Sequence, residues 1–159
     1  MKTFKQKKTI ALVAHDNRKV DMIEWAAYNW KELVYHNLMC TGTTGKLVQE
    51  TLLQKCQEND VIPPEVIRLK SGPLGGDQQL GANIAEGKVD MLIFFWDPMQ
   101  PQPHDVDVKA LLRISTLYNI PVATNRSTAD FIVSSKLFHE QYTPIIKDYS
   151  SYIMRDVNL

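Results

Sequence analysis

The chain lacks the features by which several classes of protein are recognised. Among its 159 residues are two cysteines, Cys40 and Cys56, too few and too isolated for a disulfide framework or a zinc site. The 18 basic and 18 acidic residues give a formal net charge of zero, so there is no basic stripe of the kind that binds nucleic acid. The apolar run 10–14, which follows four lysines in residues 2–8, is too short for a signal peptide or a membrane span. We therefore expect a cytoplasmic protein that binds neither nucleic acid nor membrane.

The sequence instead alternates short apolar runs with amphipathic stretches. Its hydrophobic content of 44% argues against disorder, and its length suits one domain. Strands are predicted at 9–14, 37–41, 66–69, 89–96 and 121–124, and helices at 18–35, 44–58, 78–86, from 108 onward, and at 127–134. Ser127 and Asp130 are spaced as a capping box for the last of these helices. We predict an α/β fold, a single-domain doubly wound five-stranded parallel sheet with helices on both faces. We expect the domain to span 1–159, with residues from about 140 to 159 as a C-terminal arm.

Polar residues follow each predicted strand at its carboxyl end. They comprise His15, residues 41–44, residues 71–77, Asp97, and the pair Thr124 and Asn125. In open parallel sheets, ligands bind in the crevice outside the carboxyl ends of the strands. These residues are therefore expected to converge in space.

The first cluster, Thr-Gly-Thr-Thr-Gly at residues 41–45, suits a phosphate. Its glycines let the backbone approach an anion, and its hydroxyls and the N–H groups of the next helix donate hydrogen bonds. Lys19 could add positive charge. The alternative is that Thr43 or Thr44 merely caps the helix. The cluster is not a Walker loop, because the Gly-Lys-Ser/Thr ending is absent.

The second cluster, Ser-Gly-Pro-Leu-Gly-Gly-Asp at residues 71–77, implies a tightly shaped turn. Ser71 and Gly72 could offer a hydroxyl and an N–H to a ligand. The spacing of the glycines differs from that of the dinucleotide-binding fingerprint. Asp77 is either an N-cap carboxylate or a general base whose pKa is adjusted by desolvation in the crevice.

The third cluster contains Asp97 and His104. Asp97 follows the most apolar strand, and prolines at 98, 101 and 103 stiffen the loop that carries His104. A lone loop histidine is most often a surface residue, but one held between prolines and aspartates suits acid/base work. Metal binding by His104 with Asp97 or Asp107 is the rival, and no close histidine or cysteine pair supports it.

Taken together, these segments resemble the methylglyoxal synthase family. The matching stretches lie at 10–16, 41–45, 71–79, 92–98, 103–105, 107–113, 119–125 and 128–131, in the same order and from about residue 9 to the C-terminal region. The resemblance implies a lyase that converts dihydroxyacetone phosphate to methylglyoxal and inorganic phosphate. It also implies a homohexamer that needs no metal and no organic cofactor. Phosphate, as the product, is also a candidate inhibitor.

The resemblance assigns roles to individual residues. Asp77 would be the base, His104 would contact the substrate oxygens and shuttle a proton, and Asp97 and Asp107 would shape the acid/base network. The substrate, mainly its phosphate, would be held by His15, Lys19, Thr41, Gly42, Thr43, Thr44, Ser71 and Gly72. Arg155 lies near the position of an arginine that reaches a neighbouring subunit's site in the family.

Two hypotheses that assign the chain to other functional classes remain open. A non-catalytic regulatory module of the same general fold would need the phosphate-binding residues but not Asp77, Asp97, His104 and Asp107 together. A flavodoxin-like electron carrier would need aromatic residues beside a flavin, for which Trp96 is the candidate.

Overall fold

The computed structural model describes residues 6–156, which form a five-stranded sheet whose pairings are all parallel. The strands are β1 (Thr9–Ala14), β2 (Asn37–Thr41), β3 (Val66–Leu69), β4 (Met91–Phe95) and β5 (Val122–Ala123). Their order across the sheet is β3-β2-β1-β4-β5. The predicted five-stranded parallel sheet is confirmed.

Helices connect the strands. They are α1 (Lys19–Tyr28), α2 (Trp30–Leu33), α3 (Gly42–Glu58), α4 (Gly76–Ala85), α5 (Asp105–Leu117), α6 (Arg126–Ser134), α7 (Lys136–His139) and α8 (Ser150–Ile153). Short 3₁₀ turns at Asp16–Arg18 and Gly72–Leu74 precede α1 and α4.

The sheet has an apolar core on each face because successive side chains of a strand point to opposite sides. Leu12 of β1 belongs to one core with Trp25 of α1 and side chains of α3 and α6, whereas Ala11 belongs to the other with side chains of α4 and α5. Leu12 and Trp25 are at most 1% exposed, and full burial of such a side chain is worth about 1.5–3 kcal/mol. The prediction of helices on both faces is confirmed.

The strand order determines where a ligand can sit. From β1 the chain moves to one side of the sheet, through β2 to β3, and from β4 it moves to the other side, to β5. The loops after β1 and β4 therefore diverge, and a crevice opens at the carboxyl ends of these two central strands.

Several predicted boundaries differ from the structure. The helix predicted at 18–35 is interrupted at Asn29, whose side-chain Nδ2 donates to Trp25 O at 3.0 Å, so it becomes α1 and α2. The predicted strands at 89–96 and 121–124 are shorter, as β4 and β5. The capping box is wrong, because α6 begins earlier and its N-cap is Asn125, whose Oδ1 accepts from Thr128 N. Asp130 instead accepts from Trp25 Nε1 at 3.0 Å.

Lys8 and His36 lie at the amino-terminal ends of β1 and β2, where they are linked by a hydrogen bond. The Lys8 backbone N–H donates to His36 Nδ1 at 3.1 Å, and Lys8 Nζ donates to the carbonyls of Phe138 and Glu140 at 2.7 and 2.9 Å. Burial, together with the charge of Lys8, lowers the pKa of His36 to about 4. The neutral imidazole is therefore part of the packed structure.

The two ends of the chain are described in part. Lys2 and Lys5 of the basic start, and residues 157–159 of the predicted arm, lie outside the described residues. Within the arm, Ile145 O accepts from Asn119 Nδ2 at 2.8 Å. Across residues 6–156, no helix combines the length and the apolar character needed to cross a membrane.

Candidate active site

A cavity of about 260 Å³ opens at the carboxyl ends of the central strands. It is lined by ten of the twelve residues predicted for the site: His15, Lys19, Thr41, Gly42, Thr43, Thr44, Ser71, Gly72, Asp77 and His104. Asp97 and Asp107 do not line it, and neither do Thr124 and Asn125, which were also expected to converge there. Residues that sequence reasoning did not assign to the site complete the wall: Val13, Ala14, Asp16, Pro73 and Gln102.

One wall is the start of α3, which begins at Gly42 and not at the predicted Thr44. Thr43 and Thr44 therefore lie inside the first turn, so the reading in which one of them is the N-cap is wrong. Thr44 Oγ1 instead donates to Ala14 O at 3.3 Å, which ties the helix to β1. The N–H groups of a first helical turn lack partners within the helix, and they favour an anion. This wall is suited to hold a phosphate.

The loop at 71–76 packs closely against that wall. Gly42 has a φ of +37°, and a Cβ on it would lie 2.7 Å from Ser71 Cα, so no larger residue fits there. The Gly42 N–H donates to Lys70 O at 3.1 Å. A Cβ on Gly76 would lie 2.0 Å from the same Lys70 carbonyl oxygen. The two glycine clusters therefore form one continuous surface.

Asp77 lies in the first turn of α4, one residue after Gly76. The N-cap of α4 is Gly75, so the reading of Asp77 as the N-cap is wrong. The Asp77 side chain is 2% exposed, and its Oδ2 lies 3.5 Å from His104 Nε2. A Cβ on Gly72 would lie 2.8 Å from His104 Nε2 and 3.1 Å from Asp77 Oδ2, so glycine is what lets this pair meet above the loop.

The environment of Asp77 makes its carboxylate more basic. Burial raises the pKa of Asp77 above its usual value, Asp107 raises it further, and His104 opposes the shift. Asp77 Oδ2 is buried and accepts no hydrogen bond from any group in residues 6–156. An unsatisfied, desolvated carboxylate of this kind is suited to accept a proton.

Two imidazoles form the side of the cavity around Asp77. His15 and His104 meet edge to face, with ring centroids 5.8 Å apart. His15 Nδ1 accepts from the Asp97 N–H at 3.2 Å, which leaves the proton of a neutral ring on Nε2. Burial, and then the charge of His104, lowers the pKa of His15, so this ring is held neutral. In the described part of the chain, His15 Nε2 and His104 Nδ1 are both buried without a partner.

Lys19 and Asp16 form the mouth of the cavity. Lys19 Nζ hydrogen-bonds to Asp16 Oδ1, and this bond lowers the pKa of Asp16. The Lys19 side chain is 20% exposed, whereas that of Asp16 is 90% exposed. The ammonium is the partly sheltered member of the pair and can face a phosphate.

Asp97 and Asp107 lie beside the cavity and not in its wall. The Asp97 carboxylate accepts from Asn17 Nδ2 at 2.9 Å and from Met99 N at 3.0 Å, and these bonds lower its pKa. The Asp107 N–H donates to His104 O at 2.9 Å, and its charge acts on Asp77. Each of these aspartates is therefore separated from the ligand space by a residue that lines the cavity.

Three other sequence expectations concern residues outside the cavity wall. The Arg155 guanidinium lies 3.8 Å from the ring centre of Tyr152 and does not line the cavity. Trp96, the candidate flavin neighbour, is likewise absent from the wall. Among residues 6–156, no three His, Cys, Asp or Glu side chains are grouped so that they could hold a metal ion.

Gln102 and Asp16 were missed as cavity residues. Gln102 stands between Pro101 and Pro103 on the loop that carries His104, and this placement is the signal that could have indicated it. Asp16 was not among the predicted site residues, although it follows His15 directly; its ion pair with Lys19 depends on the 3₁₀ turn that follows β1.

Comparison with known proteins agrees with this geometry. The family model described as the MGS-like domain matches residues 21–124. Methylglyoxal synthase of Maridesulfovibrio salexigens is 57% identical over 152 residues, covering 93% of this chain and 96% of that protein. Methylglyoxal synthase of Proteus mirabilis is 51% identical over 152 residues, covering 96% of this chain and 93% of that protein.

A solved structure gives the same result. The crystal structure of methylglyoxal synthase from Elizabethkingia anophelis superposes with a TM-score of 0.86 at 48% identity, covering 99% of this chain and 97% of that one. Both the sequence and the fold are therefore shared over nearly the whole length. The chain belongs to the methylglyoxal synthase family.

Proposed function

We propose that this chain is a carbon–oxygen lyase that converts dihydroxyacetone phosphate to methylglyoxal and inorganic phosphate. The observation that carries the proposal is the Asp77–His104 pair, a buried base 3.5 Å from an imidazole, in the same cavity as the start of α3. Proton transfer and phosphate binding are thus available to one small substrate. The family membership supports the same reaction.

In this proposal, the phosphate occupies the wall formed by the first turn of α3 and by Ser71 and Gly72. The N–H groups and hydroxyls donate to its oxygens, and Lys19 supplies positive charge. Binding at this wall fixes the three-carbon skeleton against Asp77. Holding the reacting atoms in place removes translational freedom and lowers the barrier substantially.

Asp77 then takes a proton from the carbon that bears the free hydroxyl. Negative charge develops on the carbonyl oxygen, where His104, and also His15 through its Nε2–H, can donate a hydrogen bond. The resulting enediolate expels phosphate as the C–O bond breaks with its electron pair. The enol that remains takes up a proton at the former phosphate-bearing carbon and becomes methylglyoxal. The mechanism assigns no step to a metal or an organic cofactor.

The remaining expectations belong to the same proposal. We place the enzyme in the cytoplasm as a homohexamer in which Arg155 of the C-terminal arm reaches a neighbouring copy. Inorganic phosphate, which fits the same wall as the substrate's phosphate, would act as an inhibitor. Asp97 and Asp107 would serve the reaction from beside the cavity, through His15 and Asp77 respectively.

The test is an assay of purified protein with dihydroxyacetone phosphate in the presence of a chelator. Methylglyoxal is trapped with an aromatic diamine, and free phosphate is measured in parallel. Equal release of both is expected. Asp77→Asn should lower kcat by about 10²–10⁴, the range for loss of a general base, while phosphate binding persists. Asp60→Asn on the exposed loop after α3 is the matched control.

Other outcomes redirect the assignment. Near-normal turnover by Asp77→Asn would reject Asp77 as the base. Glyceraldehyde phosphate without phosphate release would indicate an isomerase. Absence of any reaction, with phosphate binding intact, would favour the regulatory module.

A further inference from the structure

Asn17 joins the loops that follow the two central strands. It lies in the 3₁₀ turn Asp16–Arg18 after β1, and its Nδ2 donates to two residues of the loop after β4. The acceptors are Asp97 Oδ2 at 2.9 Å and Gln100 Oε1 at 2.6 Å. Asn17 itself does not line the cavity.

The loop held by Asn17 makes direct contact with a cavity residue. Asp97 Oδ1 accepts from Met99 N at 3.0 Å, which folds the start of the loop onto itself. With the carboxylate fixed, the Asp97 N–H donates to His15 Nδ1 at 3.2 Å. The same loop continues to Gln102 and His104, which both line the cavity.

The contact between Asp97 and His15 decides which nitrogen of His15 carries a proton. An N–H aimed at Nδ1 requires a lone pair there, so a neutral ring must be protonated on Nε2. The other tautomer, or the imidazolium, would place two N–H groups face to face. His15 Nε2 is buried without a partner among residues 6–156. The tautomer therefore determines whether this nitrogen can donate a hydrogen bond to a substrate oxygen.

We propose that Asn17 is a positioning residue, which fixes the loop at 97–100 so that the Asp97 N–H holds His15 in its Nε2–H tautomer. Its kinetic consequence rests on the proposed function, whereas its effect on the tautomer is a property of the resting protein. The two can therefore be tested separately.

The direct readout is nitrogen NMR of the histidine side chains. The chain has four histidines, and His36 provides an internal reference. The Nδ1 atom of His36 also accepts a backbone N–H, from Lys8, at the amino-terminal ends of the strands, whereas the cavity lies at their carboxyl ends. In the unmodified protein, both His15 and His36 should be Nε2–H tautomers, with His15 assigned by comparison with His15→Gln.

Asn17→Ala removes both hydrogen bonds to the loop. The His15 signal should shift to a mixture of tautomers, while the His36 signal stays unchanged. The same variant should lower kcat/KM about tenfold or more, mainly through kcat, because the reacting groups lose their alignment. Asn17→Asp keeps the size of the side chain but places a second carboxylate next to that of Asp97, which repels it. This variant should also produce a mixture of His15 tautomers and a lower kcat/KM.

Asn59→Ala is the matched control, since Asn59 Nδ2 also donates one side-chain bond, to Lys55 O at 2.8 Å, but at the far end of α3. It should alter neither the tautomer nor the rate. An unchanged His15 tautomer in folded Asn17→Ala or Asn17→Asp would overturn the inference, whatever the rate. A His15 shift in a protein that never releases methylglyoxal would support the positioning role and refute the proposed function.

Discussion

The close approach of His104 and Asp77 over Gly72 yields the sharpest test of the site. A methyl group on Gly72 would lie 2.8 Å from His104 Nε2 and 3.1 Å from Asp77 Oδ2. Gly72 has no positive φ, so alanine is acceptable to its backbone. The substitution Gly72→Ala should therefore disturb the pair of reacting groups without disturbing the fold.

The size of the effect follows from the distances. Ordinary contact begins at 3.4 Å, so His104 must retreat by about 0.6 Å, which is 3.4 minus 2.8 Å. A misplacement of about 1 Å can reduce a rate by about 10²-fold. We expect kcat/KM to fall by roughly 10- to 100-fold, equivalent to about 1.4–2.7 kcal/mol of transition-state stabilisation.

The assay is release of methylglyoxal and phosphate, with the Tm measured alongside. Gly81→Ala is the matched control, because a Cβ at this position in α4 meets nothing closer than Ile114 Cγ2 at 3.9 Å. It should keep full activity and gain about 0.5–1 kcal/mol of stability, since glycine weakens a helix interior. A Gly72→Ala enzyme as active as Gly81→Ala would refute the view that close approach of His104 and Asp77 is needed.

The same structure predicts two effects on stability. Because the pKa of Asp77 is raised in the folded state, ionisation of Asp77 opposes folding at neutral pH, and the opposition disappears as pH falls below both pKa values. Asp77→Asn should accordingly raise the Tm at pH 7 by roughly a few degrees, and a lower Tm at this pH would contradict the assigned desolvation. His36 has its pKa lowered from 6.5 to about 4, so the folded state favours the neutral ring and stability is lost as pH falls from 6.5 towards 4. Denaturant unfolding between pH 8 and pH 5 should show a loss of about 2 kcal/mol from this group, and His36→Gln should flatten that slope.

Much of the fold could be predicted because its signals are local. The apolar run around β4 and the polar residues after each strand needed no distant partner to be recognised. The break at Asn29 was missed because it depends on a side chain turning back onto Trp25 O, within a periodicity that otherwise continues. The N-cap of α6 was predicted at Ser127 and lies at Asn125. Both residue types are good N-caps, and the path of the backbone decides between them.

The sequence predicted ten of the residues that line the cavity but not their arrangement. Convergence at the strand ends follows from parallel topology, which brought ten residues to one cavity. The two aspartates behave differently for reasons of tertiary structure. Asp77 enters the cavity because Gly76 allows α4 to start close to Lys70 O. Asp97 is instead turned towards Asn17 by a hydrogen bond between residues 80 positions apart. No local pattern encodes such distances.

The central position of β1 affects when a newly made chain becomes reactive. β1 is made first among the strands and can pair early with β2, which in turn pairs with β3, but the other neighbour of β1, β4, is made much later. His15 is separated by 82 residues from the Asp97 N–H that orients it. At about 5–20 residues per second, this separation is about 4–16 s of synthesis. A chain that has not yet reached Asp97 and His104 holds at most the phosphate-binding half of the cavity, so the reactive dicarbonyl would be released only after these residues have been made and folded.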